Sequence, residues 1–263
     1  MTLIRNFLRN LLIRNGYHLS RLSDMEHLLS FIRSLRVVSI EQELIRIGGP
    51  GDGGYLVPDD LSDIEACFSP GVGKVAKFEE GLASFGVRSF MSDYSVMSAP
   101  VDHELFTFDR NFIGVENRDS MIRLEDWVRK HSESENSDLI LQMDIEGDEY
   151  AVFLDTPSDL LKRFRIMVVE FHALDMLFAK EPFQIVKQTF DKLLRDFSVV
   201  HIHPNNRADI LSNNGIDVPL AMEFTFYRND RVRRLQRELS FPHVLDSPNH
   251  AQKADVVLPK CWW

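Results

Sequence analysis

Between Ile64 and Arg228 the chain alternates short apolar runs with amphipathic stretches, and this alternation limits the fold more than any other feature. IEACFSP, VRSFMSD, DLILQMD, RIMVVEFH, FSVVHIHP and LAMEFTFYR have the length and apolar content of strands. GKVAKFEEGLASFG places Val75, Phe78, Leu82 and Phe85 on one helical face, and EPFQIVKQTFDKLLRDF does the same with Phe183, Val186, Phe190, Leu193 and Phe197. Strands and helices alternating at these lengths predict an α/β fold with a mostly parallel sheet covered on both faces. ELFTFDRNFIGV is a less regular strand candidate, and LEDWV, AVFLDT and PSDLLKRF read as shorter helices. PNNRADILSNNGIDVP joins the last two strands without a convincing helical pattern, which favours an antiparallel final pairing.

Residues 1–45 read as a helical extension, and residues 46–263 as the main domain. The boundary falls where helical patterning gives way to RIGGPGDGGYLVPDD. The first stretch, MTLIRNFLRNLLIRNGYHLSR, puts Leu3, Ile4, Phe7, Leu8, Leu11 and Leu12 on one face among arginines, with no acid before Asp24. Such a helix can lie on an anionic membrane surface, as peripheral contact through residues 1–21 at the inner face of a membrane. It can equally pack on its own domain or on a sister subunit, making a homo-oligomer. Arginines interrupt the apolar stretch and no small-residue cleavage site follows, so a signal peptide is not expected. No apolar run reaches the roughly 18–20 residues of a spanning helix.

The formal net charge of -10 argues against a general nucleic-acid binder, which needs a basic face. Cys67 and Cys261 are the only cysteines, so neither a disulfide framework nor a cysteine zinc site is expected, and a cytoplasmic setting fits.

In open α/β sheets, ligands bind beyond the carboxyl ends of the strands. The first strand of the alternating series ends in SPGVGKVAKFEE, where Gly71 and Gly73 permit a tight turn and let backbone N–H groups approach a ligand. Asp93 ends the next strand about twenty residues on, the usual distance for an acid that grips ribose hydroxyls. GVGKVA satisfies the G-x-G-x-x-A dinucleotide fingerprint, and it also fits the looser glycine loop of S-adenosylmethionine (SAM) enzymes. The loop lies behind more than sixty residues, and the sheet closes antiparallel; both tilt the choice towards SAM.

DGGYLVPDD, SPGVGKVAKFEE, SFMSDYSV, LILQMDIEGDEY, MVVEFH, HIHPNN and MEFTFYR together resemble the FkbM-type SAM-dependent methyltransferases. DIEGDE, residues 144–149, is similar to that family's D-x-E-G-x-E signature. The resemblance implies a class I methyltransferase fold, Rossmann-like, with a seven-stranded mostly parallel sheet. It also implies O-methylation, often of sugar-containing or other secondary-metabolite hydroxyls. The chain departs from the usual glycine loop at Ser69, where an acid is common, and at Val75, where a small residue is common. Asp52 in GPGDGGY supplies an acid near the cofactor or substrate instead, or simply marks a glycine-rich turn.

Methyl transfer to a hydroxyl requires the oxygen to be held in line and its proton removed. Asp144 ends the strand expected beside the first one, and Glu146 follows two residues later. Glu170 and His172 end the next strand. In one reading His172 or Asp144 is the general base. In the other, Asp144 and Glu170 hold a divalent cation such as Mg²⁺ that acidifies the hydroxyl. Asp148 and Glu149 read as helix-start acids. His201 and His203 project to one face of a strand and are followed by Asn205 and Asn206, a group suited to polyhydroxyl recognition, to a metal, or to a structural turn. Trp262 and Trp263 are expected to cover a seam of the domain or a dimer contact, or to stack on a sugar ring.

The expected function is therefore SAM-dependent O-methylation of a glycan or small-molecule hydroxyl. The expected cofactor site is Ser69, Gly71, Gly73, Asp93 and Asp52. An NAD-dependent sugar-modifying oxidoreductase is the alternative on the same loop, and a non-catalytic membrane-associated binding protein is a third reading.

Overall fold

Eight consecutive residues, Phe164–Phe171, are all buried, as a strand must be when helices cover both faces of its sheet. The computed structural model describes residues 10–16 and 20–263, and most of the N-terminal amphipathic stretch 1–21 lies outside them. Residues 10–14 are helical, and helix α1 (Met25–Ser34) follows, capped by the Asp24 carboxylate accepting from the His27 N–H. An antiparallel pair follows, β1 (Leu44–Ile47) and β2 (Tyr55–Pro58). The alternating part runs β3 (Ile64–Pro70), α2 (Lys77–Ala83), β4 (Arg88–Ser92), β5 (Phe106–Asp109), β6 (Phe112–Gly114), β7 (Met121–Arg123), α3 (Leu124–His131) and β8 (Asp138–Met143). It continues with α4 (Glu149–Asp155), α5 (Ser158–Leu161), β9 (Phe164–Phe171), α6 (Lys180–Leu193), β10 (Phe197–Pro204), β11 (Ile210–Asn213), β12 (Ile216–Pro219) and β13 (Met222–Arg228).

Seven strands form the central sheet in the order β5-β4-β3-β8-β9-β13-β10. Its neighbours pair in parallel from β5 through β9, and β13 runs antiparallel to both β9 and β10. The expected mixed α/β architecture and the antiparallel close are both present. The segment between the last two strands is a β11–β12 hairpin, turned by Asn214 (φ 50°) and Gly215 (φ 78°). An Asn-Gly pair supplies both positive φ values that such a turn demands.

Helix α1 buries Leu28, Phe31 and Ile32 in the same apolar cluster as α6 and the inner face of the sheet. Phe31 meets Phe183 and Phe190 edge-on, with ring centroids 5.4 and 5.8 Å apart. Helix α2 is shorter than its apolar spacing predicts. Val75 and Phe85, expected on its buried face, are 42% and 54% exposed, because Val75 belongs to the glycine loop and Phe85 lies past the helix end. Phe197 likewise begins β10 rather than continuing α6. Trp262 is buried and donates its indole N–H to the Asp217 carbonyl, sealing the end of the β12 hairpin strand, while Trp263 stays partly exposed. Among the described residues, no helix is long and apolar enough to cross a membrane.

Candidate active site

The chain leaves β3 at Pro70 and turns sharply at Gly71 (φ 85°), where a Cβ would overlap the carbonyl oxygen of Asp144 at the end of β8. Only glycine lets these two strand ends approach so closely. The junction is held by the Gly71 N–H donating to Ser92 O (2.9 Å) and the Asp144 N–H donating to Pro70 O (3.2 Å). Above it opens a cavity of about 500 Å³, within the range of small-molecule sites. The glycine loop, Asp52 and Tyr55, the end of β4 and the end of β8 line it.

Gly71, Gly73, Asp93 and Asp52 all reach this cavity. Asp93 is buried, and its two oxygens accept from the backbone N–H groups of Gly73 (2.8 Å) and Ser95 (2.7 Å). The carboxylate therefore braces the glycine loop and keeps further lone pairs for a ligand. Asp52 pairs with Arg207 at 3.0 Å. Ser69 lies beneath the floor, fully buried, with its hydroxyl against Glu79 and 2.7 Å from Gln142 Oε1. Glu79, Gln142, Tyr55 and Phe112 line the cavity as well, and none was singled out from the sequence.

At the other end, Asp144, Glu146, Glu149, Glu170 and His172 converge. His172 sits in the middle. Its Nδ1 meets Glu149 Oε1 at 3.1 Å, and its Nε2 faces oxygens of Glu146, Glu170 and Asp144 at 3.6, 3.6 and 3.8 Å. Burial alone would lower its pKa, but the Glu149 hydrogen bond and the carboxylates around it outweigh that and raise it to about 9. Asp144 is shifted the other way from the usual carboxylate: burial, with Glu146 and Glu149 nearby, pushes it up to about 7 against the pull of His172. Its Oδ1 is buried with no hydrogen-bond partner among the described residues. Burial also holds Glu170 well above the ordinary range, and Glu170 accepts from Asn205 Nδ2 at 2.6 Å.

Glu149 does start α4 as expected, but it does more than favour the helix dipole. Its Oε1 also accepts the backbone N–H groups of Ile145 and Gly147, both at 3.1 Å, so it shapes the DIEGDE turn. Glu146 occupies the left-handed region (φ 58°) at the tip of that turn, and its side chain is exposed.

Asp144, Glu149 and His172 bring ligand-capable atoms within 4.8 Å of one another, a possible cation-binding group. The fit is poor. A metal would displace the imidazole from Glu149, and a protonated His172 already supplies positive charge to the carboxylates. Glu170, expected as the second ligand, is outside that group and tied to Asn205.

His201, His203, Asn205 and Asn206 are all buried, and none lines the cavity. His201 pairs with Asp246 (2.9 Å), and His203 lies between Glu223 (3.4 Å) and Asp255 (3.1 Å). Asn206 donates to His250 O and accepts from the His250 N–H. These side chains anchor the C-terminal segment, and Asn205 alone connects with the acid cluster. Sequence spacing gave the shared face of the two histidines but not the partners, which lie 20–52 residues away.

Comparison with known proteins finds a methyltransferase domain within the chain. Residues 71–198 match the family model of the methyltransferase FkbM domain, which bears out the resemblance carried by SPGVGKVA and DIEGDE. No curated protein matches the chain. Many solved structures are similar to it, two of them at low identity as follows. A Pyrococcus horikoshii protein assigned as an RNA methyltransferase is 11% identical, with 64% of this chain and 77% of that one covered and a TM-score of 0.31. A structure concerned with conversion of a disulfide bond into a thioacetal group during echinomycin biosynthesis is 14% identical, with 63% and 77% covered and a TM-score of 0.30. The methyltransferase family implies SAM as the cofactor.

Proposed function

We propose that this chain is a SAM-dependent O-methyltransferase acting on a hydroxyl of a sugar or glycan-type acceptor. The observation that carries the reading is the buried, unpartnered Asp144 Oδ1 at the edge of the cavity that begins at the Gly71 turn. Numbering the central strands in chain order (β3, β4, β5, β8, β9, β10, β13 as 1 to 7) gives 3-2-1-4-5-7-6 with strand 7 reversed. That order fits a class I methyltransferase.

The charge of the cavity favours SAM over a dinucleotide. Asp52, Glu79, Asp93, Asp144, Glu146 and Asp148 line it against one lysine, Lys74. Carboxylates repel the pyrophosphate of NAD⁺, whereas SAM presents a sulfonium and an ammonium. SAM, when bound, supplies an electrophilic methyl group.

The residues of this chain then have two tasks, to hold the acceptor oxygen and to take its proton. An Asp144 carboxyl titrating near neutrality is matched to accept a proton from a hydroxyl that is itself a weak acid. His172, with its pKa raised to about 9, is an imidazolium at neutral pH with no free lone pair, so it orients and partly neutralises the carboxylates rather than acting as base. The preference for a sugar hydroxyl rests on the family resemblance.

The test is thermal unfolding with S-adenosylhomocysteine, SAM and NAD⁺ in parallel, followed by transfer of labelled methyl from SAM to a panel of glycans and polyols. A ligand at a hundred times its dissociation constant stabilises by about 2.7 kcal/mol, a rise of roughly 5–10 °C in midpoint for a chain of this size. Stabilisation by the first two alone is expected. Asp144→Ala should abolish transfer and leave S-adenosylhomocysteine affinity within about threefold, since it removes the base and not the cofactor loop. Stabilisation by NAD⁺ alone overturns the reading.

A further inference from the structure

Glu79 is a buried carboxyl that the mechanism above does not use. It lies on the first turn of α2, is 2% exposed, and lines the cavity. A carboxylate so placed ordinarily has a lysine or arginine beside it, because an unpaired buried charge is costly. Glu79 has none. Its hydrogen bonds come from the Ser69 hydroxyl and its own backbone N–H, and the charge that bears on it is the like-signed Glu80. Burial accordingly raises its pKa to about 7.

The surroundings show which part of a ligand it would meet. Ser69 joins Glu79 to Gln142 (2.7 Å), and Gln142 Nε2 donates to the Tyr55 hydroxyl at 3.4 Å. This chain of polar groups runs under the cavity from α2 across β3 and β8 to β2. Asp93, which braces the glycine loop, follows the end of β4, the neighbour of β3 on the side away from β8. Asp93, Glu79 and Asp144 line one cavity, so a nucleoside held at Asp93 leaves the rest of the cofactor within the space that Glu79 and Asp144 face.

We propose that Glu79 is a cofactor-binding residue whose carboxylate pairs with the cationic amino-acid end of the methyl donor, with Ser69 as its hydrogen-bonding support. The assignment rests on the SAM reading and adds to it. It also accounts for Ser69 at a position where methyltransferase loops commonly carry an acid: the carboxylate comes from the following helix, and the hydroxyl holds it in place.

The experiment compares two ligands by calorimetry: S-adenosylhomocysteine, and 5′-methylthioadenosine, the same nucleoside thioether without the amino-acid end. In Glu79→Gln the first should weaken about tenfold or more, the loss of a charge-assisted hydrogen bond, with the second unchanged within about twofold. The unliganded variant should melt at or above the wild-type midpoint, because an uncompensated buried carboxyl has been removed. Equal weakening of both ligands, or no weakening of either, overturns the proposal and leaves Glu79 a structural acid. If Glu79→Gln does not fold, Ser69→Ala is measured instead; it should weaken S-adenosylhomocysteine selectively, by about threefold or more, and an equal effect on both ligands overturns the proposal. If wild type binds 5′-methylthioadenosine as tightly as S-adenosylhomocysteine, the amino-acid end is not recognised and Glu79 has no such role. Binding of neither ligand to wild type removes the SAM reading, and the Glu79 assignment with it.

Discussion

Asp144 and His172 set each other's protonation, and that coupling is measurable. The His172 imidazolium pulls the Asp144 carboxyl down while burial pushes it up, leaving it near 7. A base at Asp144, as proposed, must be deprotonated to act, so transfer should rise as pH increases through about 7. His172→Gln removes the positive charge and should move this rising limb to higher pH, by about one unit or more, in a pH profile of kcat/KM. An unmoved limb would assign the base elsewhere. The same histidine bears on stability with a defined sign. Its folded pKa near 9 exceeds the unfolded value of 6.5, so its contribution is complete below 6.5 and is lost as pH rises through 9. Thermal midpoints recorded across that window should fall less steeply in the variant. Asp144, Glu146 and His172 are recognisable in the sequence because they end apolar runs. Glu79 is not, since KFEE looks like any helix start with acids near its dipole.

At the scale of elements, the cavity sits where two neighbouring strand ends approach closely. Gly71 turns at positive φ directly against the Asp144 carbonyl, so a methyl group at that position must push β3 and β8 apart. Gly71→Ala should cost about 2 kcal/mol or more of stability in urea unfolding and eliminate S-adenosylhomocysteine binding, whereas a freely relaxing loop would lose neither. The glycine loop was visible from spacing alone, because glycine is the residue that such a turn demands. The start of α2 was not: Val75 has helical spacing but faces the cavity, and apolar periodicity cannot tell a core contact from a ligand contact. HIHPNN shows the opposite case. Its alternation correctly places two histidines on one face of β10, yet their environment comes from Glu223, Asp246 and Asp255, which the chain delivers only after it has folded back.

For the molecule as a whole, α1 belongs to the same core as the sheet. Phe31 is 3% exposed and wedged against Phe183 and Phe190 of α6. Phe31→Ala should therefore destabilise the whole chain by about 3–5 kcal/mol in a single cooperative urea transition. A separate early transition would mean that the helix folds apart from the sheet. What the sequence determined by itself is the alternation of strands and helices, the antiparallel close and the glycine turn. Each of these is local, written in residue periodicity or in the stereochemistry of one residue. Tertiary structure alone decided the strand order, the pairing of Glu79 with Ser69, and the gathering of four carboxylates around His172. Burial and proximity are properties of residues distant in the chain, and they raise Asp144 and His172 to pKa values that neither has alone.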